Sequence, residues 1–321
     1  MKKSIPLIIA VFLPPALLAA FLGCAFGSAD ITVLNADTAS IIILNLRLPR
    51  VLAALLAGIG LSVSGVLLQS VTGNPLAAPN IIGVNSGAGF FCIVMLTFLP
   101  QASAFLPLGA FVGAFLTTLL IVGAANRINY SRGTVILAGI AVTAILNAGI
   151  SLLSLLDTDV LSAYNAFSVG GLAGVRMGQL FVPAIIIILC LAVSLILSRR
   201  IHTLCLGDSL AASLGVRVKR LRILCLICAS ASAAAVVSFA GLLGFVGLVV
   251  PHIARRISGE RTSVLLITSS FTGAMLVILA DLFGRVLLAP TEIPVGIIMA
   301  LIGAPFFFAM LFKRRGENAE M

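Results

Sequence analysis

Cysteine and histidine are the first side chains to consider, because thiolates and imidazoles bind metals and carry redox chemistry. The sequence contains six cysteines and two histidines. Cys225 and Cys228 have the Cys-x-x-Cys spacing of a metal or redox pair, but no second pair accompanies them in their apolar stretch. His202 and His252 have no carboxylate or cysteine cluster beside them. We therefore interpret the cysteines as small packing residues and predict no metal site.

Arginine and aspartate offer a different chemistry, the pairing of guanidinium and carboxylate groups. Arg47 and Arg50 are one helical turn apart, and Pro49 between them suits the first turn of a helix. Arg285 follows Asp281 by four residues, so the two can pair along one helix face. We predict that these arginines bind acidic groups of a partner. The alternative is that their stems lie along a membrane surface and their charged ends reach water.

The composition shows which elements must hold these residues. The chain has 321 residues, of which 61% are hydrophobic and 9% charged, and its mean hydropathy is +1.24. Soluble domains have about 25% charged residues, and an apolar run of about 20 residues crosses the ~30 Å core of a bilayer. We predict an all-α, polytopic membrane protein that is one domain over residues 1–321, with about ten spans at 5–26, 51–71, 81–99, 104–125, 134–156, 180–198, 223–241, 244–257, 263–284 and 294–312. The alternative for the short eighth span is that it merges with the seventh or is partly re-entrant.

The basic residues predict the orientation of these spans. Ten spans place both termini on one side, and 16 of the 20 lysines and arginines then lie on that side. Because loops rich in lysine and arginine stay in the cytoplasm, both termini are predicted to be cytoplasmic. The net charge of +10 is spread over the loops and forms no stripe, which argues against nucleic-acid binding. The first span could also be a signal peptide, but its apolar run is longer than a signal needs, so we predict a retained helix.

Two loops have unusual sequences. Residues 69–88 place Pro75 and Pro79 between apolar runs, and each proline disfavours helix at the residue before it. Irregular backbone at membrane depth has to be buried in protein or to face a watery cavity, so this break is either a pathway constriction or a plain cytoplasmic turn. In the cytoplasmic segment 199–222, Gly207 and Gly215 bracket a predicted short helix. Its small residues suit a groove on another protein, and the alternative is an ordinary amphipathic loop.

These features resemble the FecCD-type permeases of type II ABC importers, which serve iron-siderophore, haem and cobalamin uptake. No single motif is specific, but together they follow the order of that family over most of the chain. The matching segments are 47–50, 69–87, 207–215, 244–255, 280–285, 292–296 and 303–306.

The resemblance implies a ten-helix, type II ABC importer permease fold and a homodimer with the pathway between its two copies. It implies cytoplasmic ATPase subunits, which use the ATP and Mg²⁺, and an extracytoplasmic binding protein. Arg47, Arg50 and Arg285 match docking residues for that protein, and Asn74 and Leu76 match a cytoplasmic gate, with a second gate element around 131–134. The ATPase would contact the coupling segment, about 203–218, through Gly207, Asp208, Ala211, Leu214 and Gly215.

On this reading the chain imports ferric siderophore across the bacterial cytoplasmic membrane and has no catalytic residue of its own. Its sequence has no G-x-x-x-x-G-K-[ST] loop for nucleotide binding. Haem or cobalamin is the alternative cargo. An ion-coupled transporter would show ionisable residues in several spans, and Asp281 is the main candidate. A membrane enzyme would need an acid–base, metal or nucleophile cluster, and the sequence suggests none.

Overall fold

The computed structural model describes residues 5–27, 35–127 and 132–319, which are helical with short connections and contain no β-strand. The helices, in chain order, are α1 (Ile5–Ala25), α2 (Ala36–Ile42), α3 (Leu48–Thr72), α4 (Val84–Phe98), α5 (Leu106–Arg127), α6 (Arg132–Ser154), α7 (Thr158–Val169), α8 (Met177–Ile196), α9 (Ser198–Cys205), α10 (Asp208–Ser213), α11 (Val218–Ala240), α12 (Val246–Ser258), α13 (Thr262–Val286) and α14 (Val295–Ala319).

Ten of these helices coincide with the ten predicted spans, which confirms the polytopic all-α architecture. Seven helical stretches among the described residues are long and apolar enough to cross a membrane. Helix α4 and the apolar part of α14, Val295–Met310, are shorter. Helix α12, which corresponds to the eighth predicted span, has 13 residues and is about 20 Å long. It is therefore shorter than the ~30 Å of a bilayer core. The non-helical residues 241–245 separate it from α11, so the two are not one merged span.

The helix that contains Arg47 and Arg50 begins earlier than predicted. Helix α2, a π-helical turn at Ile43–Arg47 and α3 form one continuous helical stretch, which starts at residue 36 and not at 51. A proline inside a helix clashes with the carbonyl four residues before it, which for Pro49 is that of Asn45. Because Asn45 lies in the wider π-helical turn, the helix can continue through the proline.

Helix α3 is the centre of the bundle. In its apolar part 83% of the residues are buried. The corresponding share is 11% for α1 and for α6, which therefore lie at the periphery. Glycines allow the close contacts: Gly58 packs against the backbone of Gly273 in α13, and Gly65 against that of Gly247 in α12. In lipid the hydrophobic effect does not drive helices together, so close packing of this kind stabilises their association.

The bundle has two ends with different chemistry. Arg50 meets Asp281 and, further along, Gly58 meets Gly273, so α3 and α13 run antiparallel. One end holds Arg47, Arg50, Arg176 and Arg285, and we call it the arginine end. The other end holds α9, α10 and the start of α11, and we call it the α10 end.

Candidate functional site

One buried carboxylate at the arginine end is held between two arginines. Arg50 Nε donates to both carboxylate oxygens of Asp281 at 3.0 Å, and Arg285 Nε lies 3.1 Å from Asp281 Oδ2. Arg50 Nη1 also donates to Glu292 Oε2 at 2.6 Å. Asp281 is only 1% exposed, so it has almost no water to stabilise its charge. The predicted Asp281–Arg285 pair is present, and Arg50 joins it from α3.

Arg47 and Arg285 also bind the C-terminal end of α1. Arg47 Nη1 donates to the carbonyls of Cys24 and Ala25 at 3.1 and 2.6 Å. Arg285 donates to the carbonyls of Gly23 and Phe26 at 3.0 and 3.2 Å. The last carbonyls of a helix have no partner within it and carry the negative end of its dipole, so two cations stabilise them. Both arginines are buried by these contacts.

All three arginines predicted to dock a binding protein line one cavity of about 770 Å³ at the arginine end, together with Glu292. Arg176, which is exposed just before α8, lines the same cavity. The sequence prediction gave Arg176 no role, although it is the fourth basic residue on the side that opposes the positive-inside bias. This departure from the positive-inside rule could have identified Arg176 from the sequence.

The predicted gate segment forms an ordered turn between α3 and α4. Gly73 ends α3 with a positive φ of 61°, which suits glycine. Asn74 Oδ1 accepts the N–H of Leu76 at 3.0 Å, so the asparagine side chain organises its own turn. Both residues are half-buried, and their gating role stays a prediction. The second gate element, around 131–134, lies outside the residues whose side chains the structure describes.

The short helix predicted between Gly207 and Gly215 is α10, and both glycines have positive φ. Ala211 is fully buried and faces the chain's own core, so its side chain is not available to a partner. Three leucines around this helix are exposed: Leu206 before it, Leu210 within it and Leu214 at its end, at 59%, 55% and 67%. Of these the sequence prediction named only Leu214, although Leu210 is four residues before it and therefore shares its helix face.

Arg222 in α11 anchors α10. Its Nη2 atom donates to Asp208 Oδ1 at 2.6 Å, and Arg222 is buried whereas the Asp208 side chain is 48% exposed. Asp208 is the first residue of α10, so this ion pair joins the helix start to a long helix of the bundle. The described residues contain no group of three histidine, cysteine, aspartate or glutamate side chains that could hold a metal ion.

Replacing Asp281 tests the importance of the ion network. Asp281→Ala leaves Arg285 charged and buried and Arg50 charged and half-buried, so we expect a loss of about 3–5 kcal/mol in stability. Glu292→Gln is the matched control, because Glu292 is 28% exposed and its contribution should be about 1 kcal/mol or less. Thermal unfolding of the detergent-solubilised variants measures both. Equal destabilisation by the two substitutions would contradict a central role for Asp281.

Known proteins resemble this chain over most of its length. The profile of the FecCD transport family matches residues 7–313. The chain is 34% identical over 302 residues to the Fe(3+)-citrate import system permease protein YfmE of Bacillus subtilis, covering 92% of this chain and 91% of that protein. It is also 34% identical to the hemin transport system permease protein HmuU of Yersinia pestis, covering 86% and 84% of the two chains.

One solved structure has a similar fold. It shows an inward-facing conformation of a metal-chelate type ABC transporter and superimposes with a TM-score of 0.86 at 31% identity. The match covers 96% of this chain and 99% of that one. Because the family profile spans nearly the whole sequence, the chain belongs to the FecCD transport family.

Proposed function

We propose that this chain is the membrane permease of a binding-protein-dependent ABC importer and that its cargo is a ferric siderophore. The observation that carries the proposal is the family match over residues 7–313. Relatives named for iron(3+)-hydroxamate and achromobactin transport support the cargo. Haem is the second candidate, because relatives named for hemin and heme-iron transport match about as well.

In the proposed orientation the arginine end faces outward and the α10 end faces the cytoplasm, with both termini cytoplasmic, in the cytoplasmic membrane of a bacterium. The excess of lysine and arginine on the side of the α10 end supports this orientation. The chain supplies the pathway, and separate ATPase subunits bind and hydrolyse ATP with Mg²⁺. We propose a homodimer, in which exposed apolar residues of the peripheral α6, such as Leu137, Ile140 and Ile145, are available to contact a second copy.

Reconstitution tests the function directly. We expect proteoliposomes that contain the permease, its ATPase and its binding protein to accumulate radiolabelled ferric siderophore only with ATP, because the energy comes from hydrolysis. Haem offered in place of the siderophore separates the two candidate cargoes. An ATPase variant that binds but does not hydrolyse ATP is the control. Uptake driven by a proton or sodium gradient without ATP would contradict the proposal and support an ion-coupled transporter.

We propose that the binding protein docks over the cavity at the arginine end, through acidic residues that approach Arg47, Arg50 and Arg285. Four arginines and one glutamate line this cavity, so it favours negative charge. Arg47 and Arg285 are already bound to the end of α1, and Arg50 is bound to Asp281. Arg176 has no such buried contact among the described residues, and we add it to the docking surface.

Arg176 gives the cleanest test of docking. Arg176→Gln should weaken binding-protein affinity by up to about fivefold, because an exposed ion pair contributes about 0.2–1 kcal/mol. The loss should shrink at high salt, which screens such pairs. Gln101→Glu is the matched control, since it changes the charge of the same end by one unit at an exposed position. If both variants bind equally well in surface plasmon resonance at low salt, Arg176 is not part of the docking surface.

At the α10 end we propose that Gly207, Asp208, Leu214 and Gly215 belong to the surface that contacts the ATPase. Leu210 extends this surface, because its exposed side chain shares a helix face with Leu214, and Leu206 is exposed directly before α10. Ala211 contributes by packing α10 against the chain. The Asp208–Arg222 ion pair then connects a moving ATPase to α11, since it ties the start of α10 to that helix.

This connection predicts a partial uncoupling. Asp208→Asn removes the charge with little change in volume, and we expect several times less siderophore imported per ATP hydrolysed. Asp208→Glu should restore most of the ratio because it keeps the pair. Ser209→Asn, on the same exposed helix, is the control. An unchanged ratio of uptake to hydrolysis in Asp208→Asn would show that the ion pair does not transmit motion.

A further inference from the structure

A second cavity, of about 750 Å³, lies at the α10 end between α9 and the start of α11. Its lining contains four arginines and no carboxylate. Arg199 and Arg200 come from α9, and Arg217 and Arg220 from the start of α11. Four guanidinium groups around one cavity repel one another, and an anion in the cavity would relieve this repulsion.

These four arginines differ from Arg222, which is buried and paired with Asp208. All four are exposed, and no ion pair joins any of them to another described residue. Ordinary cytoplasmic loops are also rich in arginine, but the positive-inside rule does not require four of them to surround one cavity. The charge at this site is therefore concentrated and available to a ligand.

The remaining lining identifies the ligand. The cavity lies where α8 ends and α11 begins, and it is also lined by Leu197, Leu221 and Leu224. Leu224 is 39% exposed. A ligand that fits has an anionic head for the arginines and apolar chains for the leucines. Basic pockets at the cytoplasmic ends of membrane helices bind acidic lipid headgroups in this way, and arginine binds phosphate in a bidentate manner.

We propose that this cavity is a binding site for the headgroup of an anionic phospholipid such as phosphatidylglycerol. The proposal rests on the fold and the charges, and the identity of the cargo does not enter it. Leu214 and Gly215, at the end of the coupling segment, also line the cavity. A bound lipid would therefore touch the segment through which the ATPase is proposed to act.

The sequence contains no tryptophan, so a single introduced tryptophan reports its own surroundings. In Leu224→Trp protein reconstituted with brominated lipids, we expect an apparent affinity for phosphatidylglycerol at least about fivefold above that for phosphatidylcholine, the scale of one arginine–headgroup contact. Leu189→Trp, at a 58% exposed position in the middle of α8, should show no preference. Equal quenching by the two lipids at residue 224 would overturn the proposal.

Charge variants separate a site from general attraction. Neutralising Arg199, Arg200 and Arg220 to glutamine should abolish the preference at residue 224. The matched control neutralises Lys219, Arg256 and Arg261, three exposed basic residues outside the cavity, and should retain it. Equal loss in both triple variants would show that only net charge attracts the lipid, which overturns the proposal.

Two further measurements in the same quenching experiment identify what occupies the cavity. Excess inorganic phosphate should leave the preference for phosphatidylglycerol at residue 224 intact. If phosphate abolished this preference, the cavity would be assigned to a soluble anion instead. Addition of the ATPase subunit should also leave the preference intact. Its disappearance would mean that the ATPase occupies the cavity in the assembled transporter, which overturns the lipid proposal.

Discussion

The arginine end depends on the need to satisfy the charge of Asp281 inside a membrane protein. This carboxylate is almost fully buried, so the protein has to supply the stabilisation that water would give. Arg50 reaches it from α3 and Arg285 from α13 itself. Arg285 and Arg47 then bind the last carbonyls of α1. One chain of polar contacts therefore positions three helices and the cavity proposed to meet the binding protein.

The α10 end uses arginine in two ways. Arg222 is buried and paired, and it attaches the start of α10 to α11. The four arginines of the neighbouring cavity are exposed, and no carboxylate lines that cavity. A buried charge without a partner is costly, whereas an exposed one is not, so pairing indicates a structural role and its absence leaves the charge free for a ligand. The same distinction separates Arg176 from Arg47 and Arg285 at the arginine end.

The two ends are joined through α3, whose glycines let it pack directly on its neighbours. Gly58 meets the backbone of α13 and Gly65 that of α12. Close-packed helices of this kind slide or rotate as units and do not deform continuously. In the proposed transporter, motion of α10 would reach the cavity at the arginine end through such units.

The sequence by itself determined the ten helical segments, their apolar character, the short eighth span and the pairing of Asp281 with Arg285. Each of these follows from hydropathy or from helical spacing over a few residues, which sequence records directly. It also predicted α10, because the two glycines that bound it mark its ends.

Only the tertiary structure decided how distant segments meet. Arg50 and Asp281 are 231 residues apart, so no local pattern indicates that they pair. The start of the helical stretch at residue 36 depended on a π-helical turn that accommodates Pro49. The inward direction of Ala211 and the gathering of four arginines around one cavity depended on neighbouring helices. Spacing determines what one helix presents on each face, whereas packing determines which faces remain free.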